Sequence, residues 1–261
     1  MKGRLLLGIC AWFAAGAAHA DDSWRFQVTP YIWGPGLGGD VQPISRLPPV
    51  HFDRSLGEIL DNLDAAFFMN ATARKDRFVI FGDFTYANLT EDHSFTIPSI
   101  HVGGITIPSV HVPVDVKISQ SSMTVAGGYS VIDQPQFVLD LLGGARLWHV
   151  EAEIDIPVHI PHFPHLPTSA SETRTWVDPI IGARARLQLT PDWSLIGYAD
   201  VGGFGAGSDI TWQAVGTINY RVTDKFFVSA GYRHMAFDYD KDGLNLDVEM
   251  GGPLVGVTVR F

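Results

Sequence analysis

Apolar and polar residues alternate along most of the chain. From Val177 to Leu189 one parity reads Val177, Pro179, Ile181, Ala183, Ala185, Leu187 and Leu189. The other reads Asp178, Ile180, Gly182, Arg184, Arg186 and Gln188. A period of two puts successive side chains on opposite faces, so this stretch predicts a strand with one apolar and one charged face. Trp212, Ala214, Gly216, Ile218, Tyr220 and Val222 stand likewise against Gln213, Val215, Thr217, Asn219 and Arg221. The first such segment sets Trp24, Phe26, Val28, Pro30 and Ile32 against Arg25, Gln27, Thr29, Tyr31 and Trp33. The last sets Val255, Val257, Val259 and Phe261 against Leu254, Gly256, Thr258 and Arg260.

Ten strands are predicted in all, at 24–34, 64–74, 77–88, 117–131, 136–152, 173–190, 193–205, 209–222, 225–239 and 244–261. Their connections alternate in length. Lys75-Asp76, Ile132 to Pro135, Pro191-Asp192 and Thr223-Asp224 are tight. Long connections lie near 35–63, 89–116 and 153–172, with shorter ones near 206–208 and 240–243. Strand periodicity leaves two architectures, a soluble periplasmic β-protein or a membrane barrel. Regular alternation of tight turns with longer loops is the asymmetry of an outer-membrane barrel, whose short turns face the periplasm. An even strand count puts both termini on that side. Strands of up to about 18 residues exceed the ~9–11 needed to span a bilayer, so the barrel is expected to project outward.

Composition narrows the picture. Of 261 residues, 46% are apolar and 18% charged, as in a folded protein. The 27 Gly and 16 Pro favour strands and turns over helices. One Cys excludes a disulfide scaffold, and a pI near 5.3 argues against nucleic acid as a partner. Lys2 and Arg4, an apolar run from Leu5 to Ala18, and Ala18-His19-Ala20 before Asp21-Asp22 read as a secretory signal peptide over 1–20. Cleavage there removes Cys10 and leaves 16 basic residues against 28 acidic in the remaining domain, 21–261. Past Ala20 no apolar run reaches the length of a membrane helix. Trp24, Trp33, Tyr86, Tyr129, Trp193, Trp212 and Tyr232 are candidates for interface girdles.

The C-terminus, Val257-Thr258-Val259-Arg260-Phe261, resembles the insertion signal of bacterial outer-membrane barrels, with Val257, Val259 and Phe261 on the lipid-facing parity. Pro30-Tyr31-Ile32-Trp33, Glu58 to Asp64, Arg77 to Tyr86 with Asp83, and Gly251 to Phe261 resemble a family of small, porin-like proteobacterial outer-membrane β-barrel proteins. The likeness covers nearly the whole chain after the signal peptide. It implies an antiparallel up-and-down transmembrane barrel in the outer membrane of a Gram-negative cell. Lipid and lipopolysaccharide would then be its surroundings, and the barrel-assembly machinery its folding partner. It implies no substrate and no cofactor.

With the apolar parity facing lipid, the lumen receives Asp83, Asp140, Asp178 and Asp200. Facing them are Arg25, Arg74, Arg146, Arg184, Arg186, Arg221 and Arg233. Charges inside a narrow barrel are tolerable only when paired, and Arg offers each carboxylate a bidentate fork. This predicts a stapled, largely closed interior. The alternative is a conduit for small anions, using the Arg excess.

Ser55-Leu56-Gly57-Glu58 has capping-box spacing, and Leu56, Ile59, Leu60 and Leu63 follow at helical spacing, predicting a short helix over the mouth. Phe95 to Gly104 is nearly repeated by Ile105 to Pro113, and loop three is rich in Pro and His. Such segments suit extended structure or a hairpin prolonging the barrel. His159, His162 and His165 stand three apart, one face of a polyproline helix, and His101 and His111 lie in the neighbouring loop. Neutral imidazoles so arranged are candidate ligands for a divalent metal such as Zn²⁺ or Cu²⁺.

Enzyme chemistry has little footing. His234 near Asp238 and Asp240 is the nearest constellation, and neither a phosphate loop nor a G-x-S-x-G elbow is present. The expected role is structural or surface-interacting, with a solute channel as the alternative and an enzyme as a more distant one.

Overall fold

A computed structural model describes residues 24–42, 50–97, 100–102, 105–107, 110–155, 169–241 and 244–261. Ten strands form the wall. They are β1 (Arg25–Trp33), β4 (Leu63–Lys75), β5 (Phe78–Ile97), β8 (Val110–Asp133), β9 (Phe137–Asp155), β10 (Ser169–Gln188), β11 (Trp193–Gly203), β12 (Ile210–Arg221), β13 (Phe226–Lys241) and β14 (Leu244–Arg260). Each pairs antiparallel with the next, and β14 pairs back onto β1, so the sheet closes. Two hairpins are added, β2 (Gly36–Gln42) with β3 (Val50–Arg54), and β6 (Ile100–Val102) with β7 (Ile105–Ile107). The architecture is the expected ten-stranded up-and-down barrel.

Exposure inverts the pattern of a soluble protein. Ile32, Ile80, Leu141, Val177, Ile181 and Val255 all point outward and are exposed, while Asp140, Arg146 and Asp178 are fully buried. Among the described residues no helix is long and apolar enough to cross a membrane. Outward aromatics gather at two levels. Near the short turns Phe26 stacks on Phe261, Phe78 meets Tyr129, and Trp193 meets Tyr220, with centroids 5.9, 5.5 and 4.8 Å apart. Trp212, on the far side, stacks on His234 at 4.8 Å. From Tyr220 to Trp212 is roughly 27 Å along the strand, or about 20 Å along the axis at a tilt near 40°. That is close to the height of a hydrocarbon band. Trp33 belongs to neither girdle. It follows the parity of Tyr31 into the lumen and is 6% exposed.

The strands outgrow the membrane at the long-loop end only. β5 and β8 have 20 and 24 residues and stay in register up to Ile97 opposite Val110. The stretch from 89 to 116 is therefore mostly strand rather than loop. Pro113 is accommodated because β8 has no β9 partner there among the described residues, so its missing N–H costs no ladder bond.

The hairpin β2–β3 replaces part of what the sequence predicts as one long loop. β2 continues β1 beyond Gly34-Pro35 along the same edge of β14. A Cβ on Gly252 would lie 1.9 Å from the Gly34 carbonyl oxygen, so glycine is required where the strands pass that break. Helix α1 (Leu56–Asp61) follows, with a complete capping box between Ser55 and Glu58. It is shorter than the Leu periodicity predicts, because Leu63 already opens β4, and Leu60 remains exposed.

Candidate functional site in the barrel lumen

Inward-facing side chains of the ten strands converge on three levels. The outer level is apolar. Trp148 and Met235 are fully buried, and Trp176, Phe237, Tyr239 and Met250 pack with them. Trp148 and Trp176 stack at 5.9 Å, Trp148 lies 4.7 Å from Phe237, and Trp176 lies 4.5 Å from Tyr239. Asp178 sits against this layer. Its carboxylate accepts from the Trp148 indole at 2.9 Å, from the Ser208 amide at 2.6 Å, and from the Ser208 hydroxyl at 2.8 Å. Ser208 accepts in turn from the Trp176 indole at 2.8 Å. The connection between β11 and β12 thus dips into the barrel. Gly207 permits the approach, since a Cβ there would meet Asp178 Oδ1 at 2.5 Å.

The middle level is ionic. Arg146 Nη2 donates to both oxygens of Asp200, at 2.8 and 2.6 Å, while Nε reaches Thr124 and Nη1 reaches Thr211. Tyr198 and Gln213 also donate to Asp200, at 2.5 and 2.7 Å. Every donor of this guanidinium group that is named has an oxygen partner, the condition under which a buried pair is tolerated. Arg233 lies 2.9 Å from Asp83 as an ion pair and donates to the Tyr31 hydroxyl, which donates to Asp83 at 3.0 Å. Its guanidinium stands over the Trp33 ring at 4.9 Å, a cation–π contact.

Nearer the short turns, Arg74 pairs with Asp140 at 2.5 Å and donates to Ser130, which donates to Asp140 at 2.7 Å. Arg184 approaches the same carboxylate only to 3.8 Å. Below lies a cavity of about 450 Å³ opening between the tight turns. Its wall carries Arg25, Arg74, Arg184, Arg186, Arg221 and Arg260 against Asp133, Asp192 and Asp224.

The charged residues expected to share one network are therefore split. Asp83 with Arg233, Arg146 with Asp200, and Asp140 with Arg74 and Arg184 form three separate groups. Asp178 is held by indole, amide and hydroxyl donors rather than by arginine, although Arg146 is its direct partner in register. Arg221 is a turn clamp. It donates to Asp192 at 2.9 Å and lies 3.7 Å from Asp224, at a half-exposed position. Arg186 reaches the Gln188 side chain at 3.1 Å.

Tyr31, Tyr198, Ser130, Ser208 and Gln213 were not singled out by sequence. Tyr31 and Gln213 lie on the polar parity of their strands, the one signal that points to such neutral partners.

Val257, Val259 and Phe261 line the outer face of β14, and Phe261 exchanges backbone hydrogen bonds with Phe26 at 2.8 and 3.0 Å. His101 lies in β6 and His111 in β8, while His159, His162 and His165 fall outside the described residues, as does the segment 1–20. Among the described residues no three His, Cys, Asp or Glu side chains are grouped to hold a metal ion. His234 packs on Trp212. Asp238 is four residues along the same strand, roughly 13 Å away at the usual rise, so the two do not form a catalytic pair.

No protein-family model and no curated protein matches the chain. Solved structures do. Outer membrane protease OmpT from Escherichia coli has a TM-score of 0.58 at 10% identity, over 91% of this chain and 97% of that one. The translocator domain of the autotransporter NalP from Neisseria meningitidis scores 0.47 at 15% identity, over 93% and 90%. Ail, the attachment invasion locus protein of Yersinia pestis, scores 0.38 at 11% identity, over 92% and 100%. At 10% identity the likeness to OmpT is one of fold alone, and that fold is a closed antiparallel outer-membrane β-barrel.

Proposed function

We propose that this protein is an exported outer-membrane barrel of a Gram-negative bacterium, closed across its outer half, with a structural or surface-interacting role. On this reading residues 1–20 direct export. The barrel-assembly machinery inserts the chain, and the short turns face the periplasm. The long strands β5 and β8 present the repeated Ile/Thr/Pro/His segment beyond the lipopolysaccharide headgroups. The protein is neither an enzyme nor an open pore.

One observation carries the reading. The buried layer of Trp148, Trp176, Met235, Phe237, Tyr239 and Met250 lies directly outside the Arg146–Asp200 and Arg233–Asp83 pairs. A hydrated ion entering such a layer would lose its water without gaining partners. Single-channel recording in planar bilayers tests this. The folded protein should give no steady conductance, and Trp148→Ala with Phe237→Ala should give measurable openings. Steady conductance in the wild type would replace this reading with that of a small-solute channel.

A further inference from the structure

The three arginines Arg25, Arg186 and Arg260 are not ion-paired with any carboxylate among the described residues, yet all three line the cavity of about 450 Å³ at the short-turn mouth. Arg260 Nε is buried without a hydrogen-bond partner among those residues. Its Nη2 has only a 3.5 Å contact with Gln27, and its guanidinium lies over Phe227 at 4.3 Å. Arg186 bonds only a neutral amide. Arg74 and Arg184 share a single carboxylate, Asp140.

Deeper in the lumen Arg146 is matched by Asp200 and Arg233 by Asp83, and Asp178 is held without an arginine, so the surplus is local to this mouth. Like charges held this close repel, and the fold keeps them in a recess where solvent screening is reduced. Guanidinium groups offer forked donors that match phosphoryl oxygens bidentately. The cavity volume falls in the range of small-molecule sites, roughly 300–1,000 Å³. The turns around it are too short to cover it.

We propose that the short-turn mouth of the lumen is a binding site for a compact multivalent oxyanion of the phosphate class, held by Arg186 and Arg260 with Arg25 at the rim. Binding does not depend on whether the lumen is closed. Only the side of entry, the periplasm, rests on the outer-membrane reading above, and conductance tests that separately.

The probe is inorganic pyrophosphate, titrated calorimetrically into the full detergent-folded barrel. Saturable one-to-one binding is expected, weakened at least tenfold in the double variant Arg186→Gln/Arg260→Gln. It should be unchanged in Arg174→Gln, which alters an arginine paired with Glu172 at the other end. Footprinting of wild-type arginines with phenylglyoxal gives a readout that needs no variant. Pyrophosphate should protect Arg186 and Arg260 and leave Arg174 as reactive as before. Absence of saturable binding by the wild type, equal binding by the double variant, or uniform protection of all arginines would each overturn the proposal.

Discussion

Arg146 and Arg184 both point into the lumen, and their surroundings make opposite demands. Arg146 is fully buried with Asp200 bidentate to it, so Arg146→Ala strands a buried carboxylate and should destabilise the barrel by about 3–5 kcal/mol. Arg184 lies 3.8 Å from a carboxylate already taken by Arg74 and borders other arginines at the cavity. Arg184→Ala should cost under about 1 kcal/mol, as for a weak pair. Denaturant unfolding of the two variants in the same lipid compares them directly, and equal losses would defeat the distinction. At this scale the sequence is half legible. Parity alone sends Asp140, Arg146, Asp178, Arg184 and Asp200 inward. It does not choose partners, because that depends on stagger and side-chain reach. Arg146 sits opposite Asp178 in register but extends two strands over, roughly 10 Å, to Asp200. A Trp indole, an amide and a serine hydroxyl then take the carboxylate it leaves, and no periodicity marks Ser208 for that task.

Among the elements, the ten wall strands follow from a period of two, and the tight turns from Asp, Pro and Lys at their tips. The hairpin β2–β3 escapes such reading because Gly36, Gly38 and Gly39 depress strand propensity, while its pairing partner β14 lies more than two hundred residues away. Helix α1 is legible because capping is local. Ser55 donates its backbone N–H and its hydroxyl to Glu58, each at 2.8 Å, and these bonds, the backbone one foremost, hold the Glu58 carboxyl below the usual carboxylate range. Arg54 adds a weaker pull in the same direction. A lowered folded value means the cap is fully in place above the ordinary carboxylate range and is lost as pH falls through the lowered value. The protection of the Ser55 amide from exchange, taken relative to its intrinsic rate at each pH, should therefore fall on acidification, and Glu58→Gln should abolish that fall. Protection indifferent to pH in the wild type would remove the carboxylate from the cap.

For the molecule as a whole, β14 closes the barrel by pairing back onto β1. Phe261 stacks on Phe26 and shares two backbone hydrogen bonds with it, so Phe261 is also a wall residue. Deleting Phe261 should slow membrane insertion while leaving export intact. Pulse-chase assays with heat-modifiable migration on gels measure both, and unchanged insertion kinetics would remove its assembly role.

The β1–β14 seam carries a further implication, about time. Its side-chain bond between Thr29 and Thr258, at 2.7 Å, joins positions 229 residues apart, and Phe261 completes the ladder against Phe26. Contacts so distant in sequence are slow to form, because the entropy of closing the loop is lost before any pairing offsets it. Growth strand by strand does not shorten the wait, since each added strand merely moves one open edge along. Until Phe261 arrives the nascent sheet has two bare rims, each able to zip onto another chain. The cylinder is therefore a ring with a single clasp, and everything made before the clasp is perishable.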